Sequence, residues 1–239
     1  MVVPAYNESR LLPGTLAALA AQSDRDFTLV VVDNASTDDT AAVAAGFAGE
    51  VEVVTEPAPG AGTAADTGFR YAIAHGATKL LRTDADCLPA PDWVATGRAL
   101  LDHADMVCGR SVPRADERPT WAQRRVYPAV VRLAARVGRL LHRSASARTP
   151  FLLVHGHNLA ITAALYERCG GTPREALEDG AEDVTLLNRA RQHTDRIIRA
   201  EQLVVESSLR RLRRWGPRRT LLWHWDRRYR PEGQAVHVR

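Results

Sequence analysis

The chain has 239 residues, 45% of them hydrophobic, enough to bury the core of one large domain or of a domain with an appendage. Its formal net charge of +4 conceals a split: residues 1–109 carry 6 Lys+Arg against 15 Asp+Glu, and residues 110–239 carry 26 against 13. Three cysteines lack metal or redox spacing, no apolar run nears the ~18 residues of a spanning helix, and no charged-then-apolar leader is visible; together these argue against a disulfide scaffold or membrane span and for a cytoplasmic protein.

In chain order, residues 1–3 are apolar and read as strand, an opening so abrupt that a clipped first strand is expected. Residues 7–22 carry Leu11, Leu12, Leu16, Leu19 and Ala20 at helical spacing. Residues 27–32 form a β-branched run that ends at Asp33. Ser36-Thr37-Asp38-Asp39 predicts an N-cap and acidic first turn for a helix over 40–48. Val51–Thr55 reads as strand, 56–62 as a Pro/Gly loop and 63–75 as helix. Residues 79–83 lead into an acidic pair, 92–102 are helical and 106–110 form a further strand. This alternation predicts an α/β fold with a parallel, nucleotide-binding-type sheet.

The second half is less regular. Residues 119–141 make an Arg-rich amphipathic helix or helix pair. It suits either a cover for the sheet, the plainer role, or a peripheral contact with an anionic membrane surface. Residues 181–193 look helical, 197–205 strand-like, and 209–230 form a basic tail. Trp215, Trp223 and Trp225 in that tail suit base stacking, but no recognisable module accompanies them, so no nucleic acid partner is expected.

The acidic pair is Asp84-Ala85-Asp86. A strand end places side chains at the rim of a crevice, where open α/β sheets bind ligands. In extended backbone, residues two apart point to one side. Mg²⁺ is usually held by one or two carboxylates plus substrate phosphates, so the pair suits a metal–diphosphate clamp, although the same spacing also occurs in ordinary turns.

Several segments in order then resemble the family 2 glycosyltransferases: Val2-Val3-Pro4-Ala5-Tyr6-Asn7-Glu8, Val30-Val31-Val32-Asp33-Asn34-Ala35-Ser36-Thr37-Asp38-Asp39-Thr40, and Thr83-Asp84-Ala85-Asp86. Gly156-His157-Asn158-Leu159-Ala160-Ile161, Gly170-Gly171 and Gly180-Ala181-Glu182-Asp183-Val184 continue the match to about residue 190. The resemblance implies a GT-A fold: a Rossmann-like, mostly parallel sheet flanked by helices, with a more irregular acceptor side. It implies residues 1–110 as the nucleotide-sugar-binding half, 111–206 as the acceptor and catalytic half of the same domain, and 207–239 as a basic C-terminal segment. The implied activity is inverting hexosyl transfer from a nucleotide-diphosphate sugar, UDP-linked by expectation, to a glycan, lipid or small-molecule acceptor, with a divalent metal (Mn²⁺ or Mg²⁺).

The resemblance also assigns residues. Pro4, Ala5, Tyr6 and Glu8 would line the nucleotide, with Tyr6 against the base and Glu8 accepting from ribose hydroxyls. Asp33 would accept a base N–H, its plain alternative being an Asx turn. Asp66, together with Gly60 and Gly62, would lie near the nucleotide. The family commonly has an Ala-Arg-Asn segment here, whereas this chain reads Ala64-Ala65-Asp66, which leaves Arg70 as a stand-in cation. Asp84 and Asp86 would hold the metal, with His224 a further ligand, and Arg210 or Arg211 would reach the diphosphate. Asp183 would be the general base with Glu182 beside it, although acids opening a helix also meet its dipole favourably. Transfer to a polyprenyl phosphate is the nearest alternative. A nucleotidyltransferase is more distant because residues 6–14 form no Gly-rich cationic triphosphate loop, and a non-catalytic binding module is the third.

Overall fold

Successive residues of the central strands go to opposite faces of one sheet. Val2, Val30, Val32, Leu80 and Met106 lie in one apolar cluster, and Val3, Val31, Leu81 and Val107 in the other. That is the period of two expected of strands buried on both faces. The computed structural model describes residues 1–126, 129–130, 133, 148–149, 152–174 and 182–216. Its strands are β1 (Val2–Ala5), β2 (Leu29–Asp33), β3 (Val51–Thr55), β4 (Lys79–Arg82), β5 (Leu88–Pro89), β6 (Met106–Pro113), β7 (Leu159–Thr162) and β8 (Ile197–Ser207). The helices are α1 (Leu12–Ala20), α2 (Thr40–Ala45), α3 (Ala61–Ala74), α4 (Trp93–Leu100), α5 (Ala163–Arg168) and α6 (Glu182–His193).

The sheet order is β3-β2-β1-β4-β7-β6-β8-β5. Strands β3, β2, β1 and β4 are parallel, as expected, with Ala5 level with Asp33 and Val2 level with Arg82. The parallel expectation fails next to β4. There β7 enters antiparallel and separates β4 from β6, and β5 runs antiparallel to β8 at the edge. Leu159-Ala160-Ile161 is a short buried apolar run, which periodicity cannot tell from a buried piece of helix.

Phe69 of α3, Tyr166 of α5 and Leu186 of α6 pack on one face, and Leu16 of α1 and Trp93 of α4 on the other. In α1, Leu12, Leu16 and Leu19 make the buried stripe, and truncating Leu16 to Ala should cost about 2–5 kcal/mol. The helix is shorter than the predicted 7–22 because Asn7 has φ 53°, a left-handed turn, and a proline then opens the first helical turn. The cap expected ahead of α2 differs: Asp39 sits at the N-cap without a side-chain cap bond and the first turn holds no acid, while Asp38 accepts from Ser9 and from the Thr40 N–H.

Two further expectations change. The acidic pair does not continue a strand: the Cys87 N–H donates to the Asp84 carbonyl at 3.1 Å, closing a tight turn between β4 and β5. In the Arg-rich stretch, the described Trp121, Val126 and Leu133 are exposed, Trp121 to 73%, so these side chains do not cover the sheet. Among the described residues no helix is long and apolar enough to cross a membrane.

Candidate active site

The parallel strands end on one edge of the sheet, and the loops leaving them carry the acids. Glu8 follows β1, Asp33 ends β2, and Asp84 and Asp86 sit in the turn after β4. Glu182 and Asp183 arrive from the other direction, as the first residues of α6. Acids in a first helical turn are favoured by the helix dipole, which is a local reason for their placement.

Two arginines tie these acids together. The Arg210 Nη2 donates to Glu8 Oε1 at 2.5 Å and to Asp86 Oδ2 at 2.8 Å. The Arg82 Nε and Nη2 donate to Asp84 Oδ1 at 3.3 and 3.2 Å, and Nη2 lies 3.5 Å from Glu182 Oε1. Because Asp84 and Asp86 share one turn, the four carboxylates of Glu8, Asp84, Asp86 and Glu182 and two guanidinium groups form one continuous cluster, with Asp183 next to Glu182 in the chain. Asp183 Oδ2 accepts the Gly156 N–H at 3.0 Å and its Oδ1 the Val184 N–H at 2.7 Å.

Electrostatics follow burial and pairing. Burial pushes the Glu8 carboxyl up to about 7, against the pull of Arg210. Burial also opposes the charge of Asp86, but Arg210 outweighs it and the carboxyl falls below its ordinary range. Arg82 is disfavoured by burial, yet Asp84, Glu182 and Asp183 together hold it protonated more firmly than a free arginine. His157, half-buried beside these groups, is pushed down by desolvation, and its Nε2 lies 2.9 Å from the Ser111 hydroxyl.

Asp33 is buried and its Oδ1 has no hydrogen-bond partner, an orphaned acceptor beside the end of β1. Such an atom carries a desolvation penalty that a ligand N–H would relieve. Pro4 and Ala5 are buried within β1, while Tyr6 is half-buried just beyond it. Loop geometry supports the neighbourhood: the Asn34 amide donates to the Glu56 and Ala58 carbonyls and accepts from the Gly60 N–H at 2.9 Å.

Asp66 departs from its expected role. Its side chain is 0% exposed and accepts from Arg70 at 2.7 Å, the Tyr166 hydroxyl at 2.7 Å and Arg174 at 3.1 Å. A carboxylate so enclosed fastens the 172–174 segment to α3, and Arg70 is drawn into the same network. Gly62 allows that approach, since a Cβ there would lie 2.7 Å from the Pro173 carbonyl and 2.9 Å from the Glu182 Cβ. His224, the expected third metal ligand, lies outside the described residues.

Among the described residues no three His, Cys, Asp or Glu side chains converge as a metal cage. The donor set fits instead a hard cation completed by phosphate oxygens, since Asp84 is 37% exposed in its side chain and Asp86 is its neighbour in the turn. Sequence reasoning missed Arg82 and Arg174. The signal for Arg82 was present: a cation closing an apolar strand, Lys79-Leu80-Leu81-Arg82, must be paired if it is buried.

The model of Glycosyl transferase family 2 matches residues 1–168. Uncharacterized glycosyltransferases of Mycobacterium bovis and Mycobacterium tuberculosis are 38% identical over 125 residues, 52% of this chain and 53% of each relative. The match thus spans about half the length of these curated relatives. In three dimensions the chain resembles S. aureus TarS 1–349 in complex with UDP-GlcNAc, with TM-score 0.61, 19% identity, and coverage of 87% of this chain and 57% of that one. It also resembles glucosyl-3-phosphoglycerate synthase from Mycobacterium tuberculosis in complex with Mn²⁺, UDP and glucosyl-3-phosphoglycerate, with TM-score 0.57, 20% identity, and coverage of 95% and 78%. At these identities the likeness concerns the fold, here GT-A. A family model that covers more than half of the chain settles its membership: the chain belongs to glycosyl transferase family 2.

Proposed function

We propose that the protein transfers a sugar, with inversion, from a nucleoside-diphosphate sugar, a UDP-sugar by preference, to an acceptor hydroxyl. The observation that carries this reading is the joined cluster of Glu8, Asp84, Asp86 and Glu182, bridged by Arg82 and Arg210 at the strand ends, with Asp183 the next residue after Glu182. Asp33 and Tyr6 would hold the base, with the orphaned Asp33 Oδ1 accepting its N–H. Glu8 would accept from the ribose once Arg210 turns toward the diphosphate, where a guanidinium fork suits phosphate oxygens. A divalent metal held by Asp84 and Asp86 would offset charge on the departing diphosphate. Asp183 would take the acceptor's proton, with Glu182 bonding the acceptor, and inversion follows when the acceptor attacks opposite the departing phosphate.

One observation favours a second reading. Both oxygens of Asp183 already accept backbone N–H groups, which suits a carboxylate that orients an acceptor rather than one that deprotonates it. An ionised acceptor such as a polyprenyl phosphate needs no strong base. Thermal-shift screening of nucleotide-sugars with and without Mn²⁺ identifies the donor, and about 2.7 kcal/mol of stabilisation is expected at ~100 Kd of ligand. NMR of the product's anomeric centre then reads inversion, and retention would overturn it.

A further inference from the structure

We propose that Arg82 is a positioning residue for the transfer: one buried guanidinium that locks the donor-side acid Asp84 and the acceptor-side acids Glu182 and Asp183 into a single constellation. This rests on the glycosyl-transfer reading above and assigns Arg82 a role that acts through Asp84 and Glu182.

Arg82 closes β4 in the middle of the sheet, level with Val2 on one side and Leu159 on the other. Its side chain is 3% exposed, and a charge so buried persists only when paired. The pairing reaches both halves of the site. Two guanidinium nitrogens bond Asp84, one of them stands 3.5 Å from Glu182, and the field of Asp183 adds to the attraction. Glu182 lies 100 positions further along the chain, so this contact links α6 to the turn after β4 without any shared backbone ladder.

The roof over the guanidinium strengthens the assignment. A Cβ at Gly156 would lie 3.2 to 3.3 Å from three guanidinium atoms, so the backbone there passes directly over the plane. The same Gly156 donates its N–H to Asp183. Backbone above, Asp84 beside and Glu182 beyond leave the guanidinium one orientation. A planar group with five donors can serve several acceptors at fixed angles, whereas an ammonium offers a point charge on a flexible stem. Without the cation, three neighbouring carboxylates would repel one another, and α6 has the freedom to carry Glu182 and Asp183 away from the donor.

The test combines kinetics with a double-mutant cycle on stability. Arg82→Lys keeps the charge and loses the fork. It should fold, still bind UDP, and lower kcat by ~10²-fold, the scale of a displacement of about 1 Å, while raising donor KM by much less. Arg82→Met leaves the acids unpaired and should melt well below wild type. Adding Glu182→Gln in that background should raise the melting temperature, whereas Glu182→Gln in wild type should lower it. Wild-type kcat in Arg82→Lys, or the same effect of Glu182→Gln in both backgrounds, would overturn the proposal. Should wild type neither bind UDP nor transfer sugar, the glycosyl-transfer reading falls, while the stability cycle still decides whether Arg82 clamps these acids.

Discussion

Residues up to β4 and residues after it build their parts of the site in different ways. Before β5, Glu8, Asp33 and Asp84 are set by where parallel strands end, and backbone ladders fix those ends to one another. After β6, Glu182 and Arg210 are set by side-chain pairs that cross the molecule, Arg210 to Glu8 and Arg82 to Glu182, and Asp183 by the Gly156 and Val184 N–H groups. The first half is acidic and the second basic, and Arg210 on Glu8 and Asp86 is where those excess charges meet, whereas Arg82 on Glu182 runs the other way. A ladder survives the loss of any one side chain, whereas a bridge of this kind does not. The donor side should therefore tolerate substitutions in fold while losing ligand, and the acceptor side should lose geometry and rate.

The largest effect expected is at the join. Asp86→Ala removes a carboxylate from the turn and takes away one of the acids that Arg210 bonds, and it should abolish turnover and metal-dependent donor binding while the sheet stays folded. Steady-state assays and circular dichroism of the purified variant check this, and full activity would break the distinction at its centre.

Next comes Asp183→Asn, which keeps size and shape. On the base reading kcat should fall ~10²–10⁴-fold with UDP affinity intact, which single-turnover kinetics and calorimetry can separate. Little loss here would shift the acceptor side to orienting an already ionised oxygen.

Glu8 offers a pH signature. Its carboxyl is raised from 4.5 to about 7 by burial, so its contribution to stability is full below 4.5 and is lost as pH rises through 7. The loss is of order 3 kcal/mol. Asp86 is shifted the other way and titrates below this window. Urea denaturation across pH 4.5 to 8 should show the decline in wild type and a flatter profile in Glu8→Gln.

The smallest expected effect is at Asp33. Removing one base contact should weaken UDP about 10-fold, the cost of one net hydrogen bond to a charged group, and raise donor KM more than it lowers kcat.

What was legible in the sequence follows the same division. The parallel core β1 to β4, the helices between its strands and the acids at its ends announce themselves through short-range periodicity and local motifs. The tight turn at Asp84–Asp86 is not settled by sequence because two Asp residues one apart fit both an extended pair and a turn. The antiparallel β7 is hidden because three apolar residues, Leu159-Ala160-Ile161, carry no period of their own. Asp66 was read as a ligand contact because its three partners, Arg70, Tyr166 and Arg174, include two about a hundred residues away. Arg82 was overlooked for the same reason: its meaning lies in Glu182 and Gly156, which only the fold brings near.

The central claim is that the strand-end cluster holds a nucleoside diphosphate with a divalent cation. Calorimetric titration of UDP into the wild-type protein, in Mn²⁺ and then in excess EDTA, tests it most directly. Saturable 1:1 binding that needs Mn²⁺, and that Asp84→Ala removes, is the predicted result. Binding of equal strength in EDTA, or none in Mn²⁺ for a protein that is demonstrably folded, would contradict it.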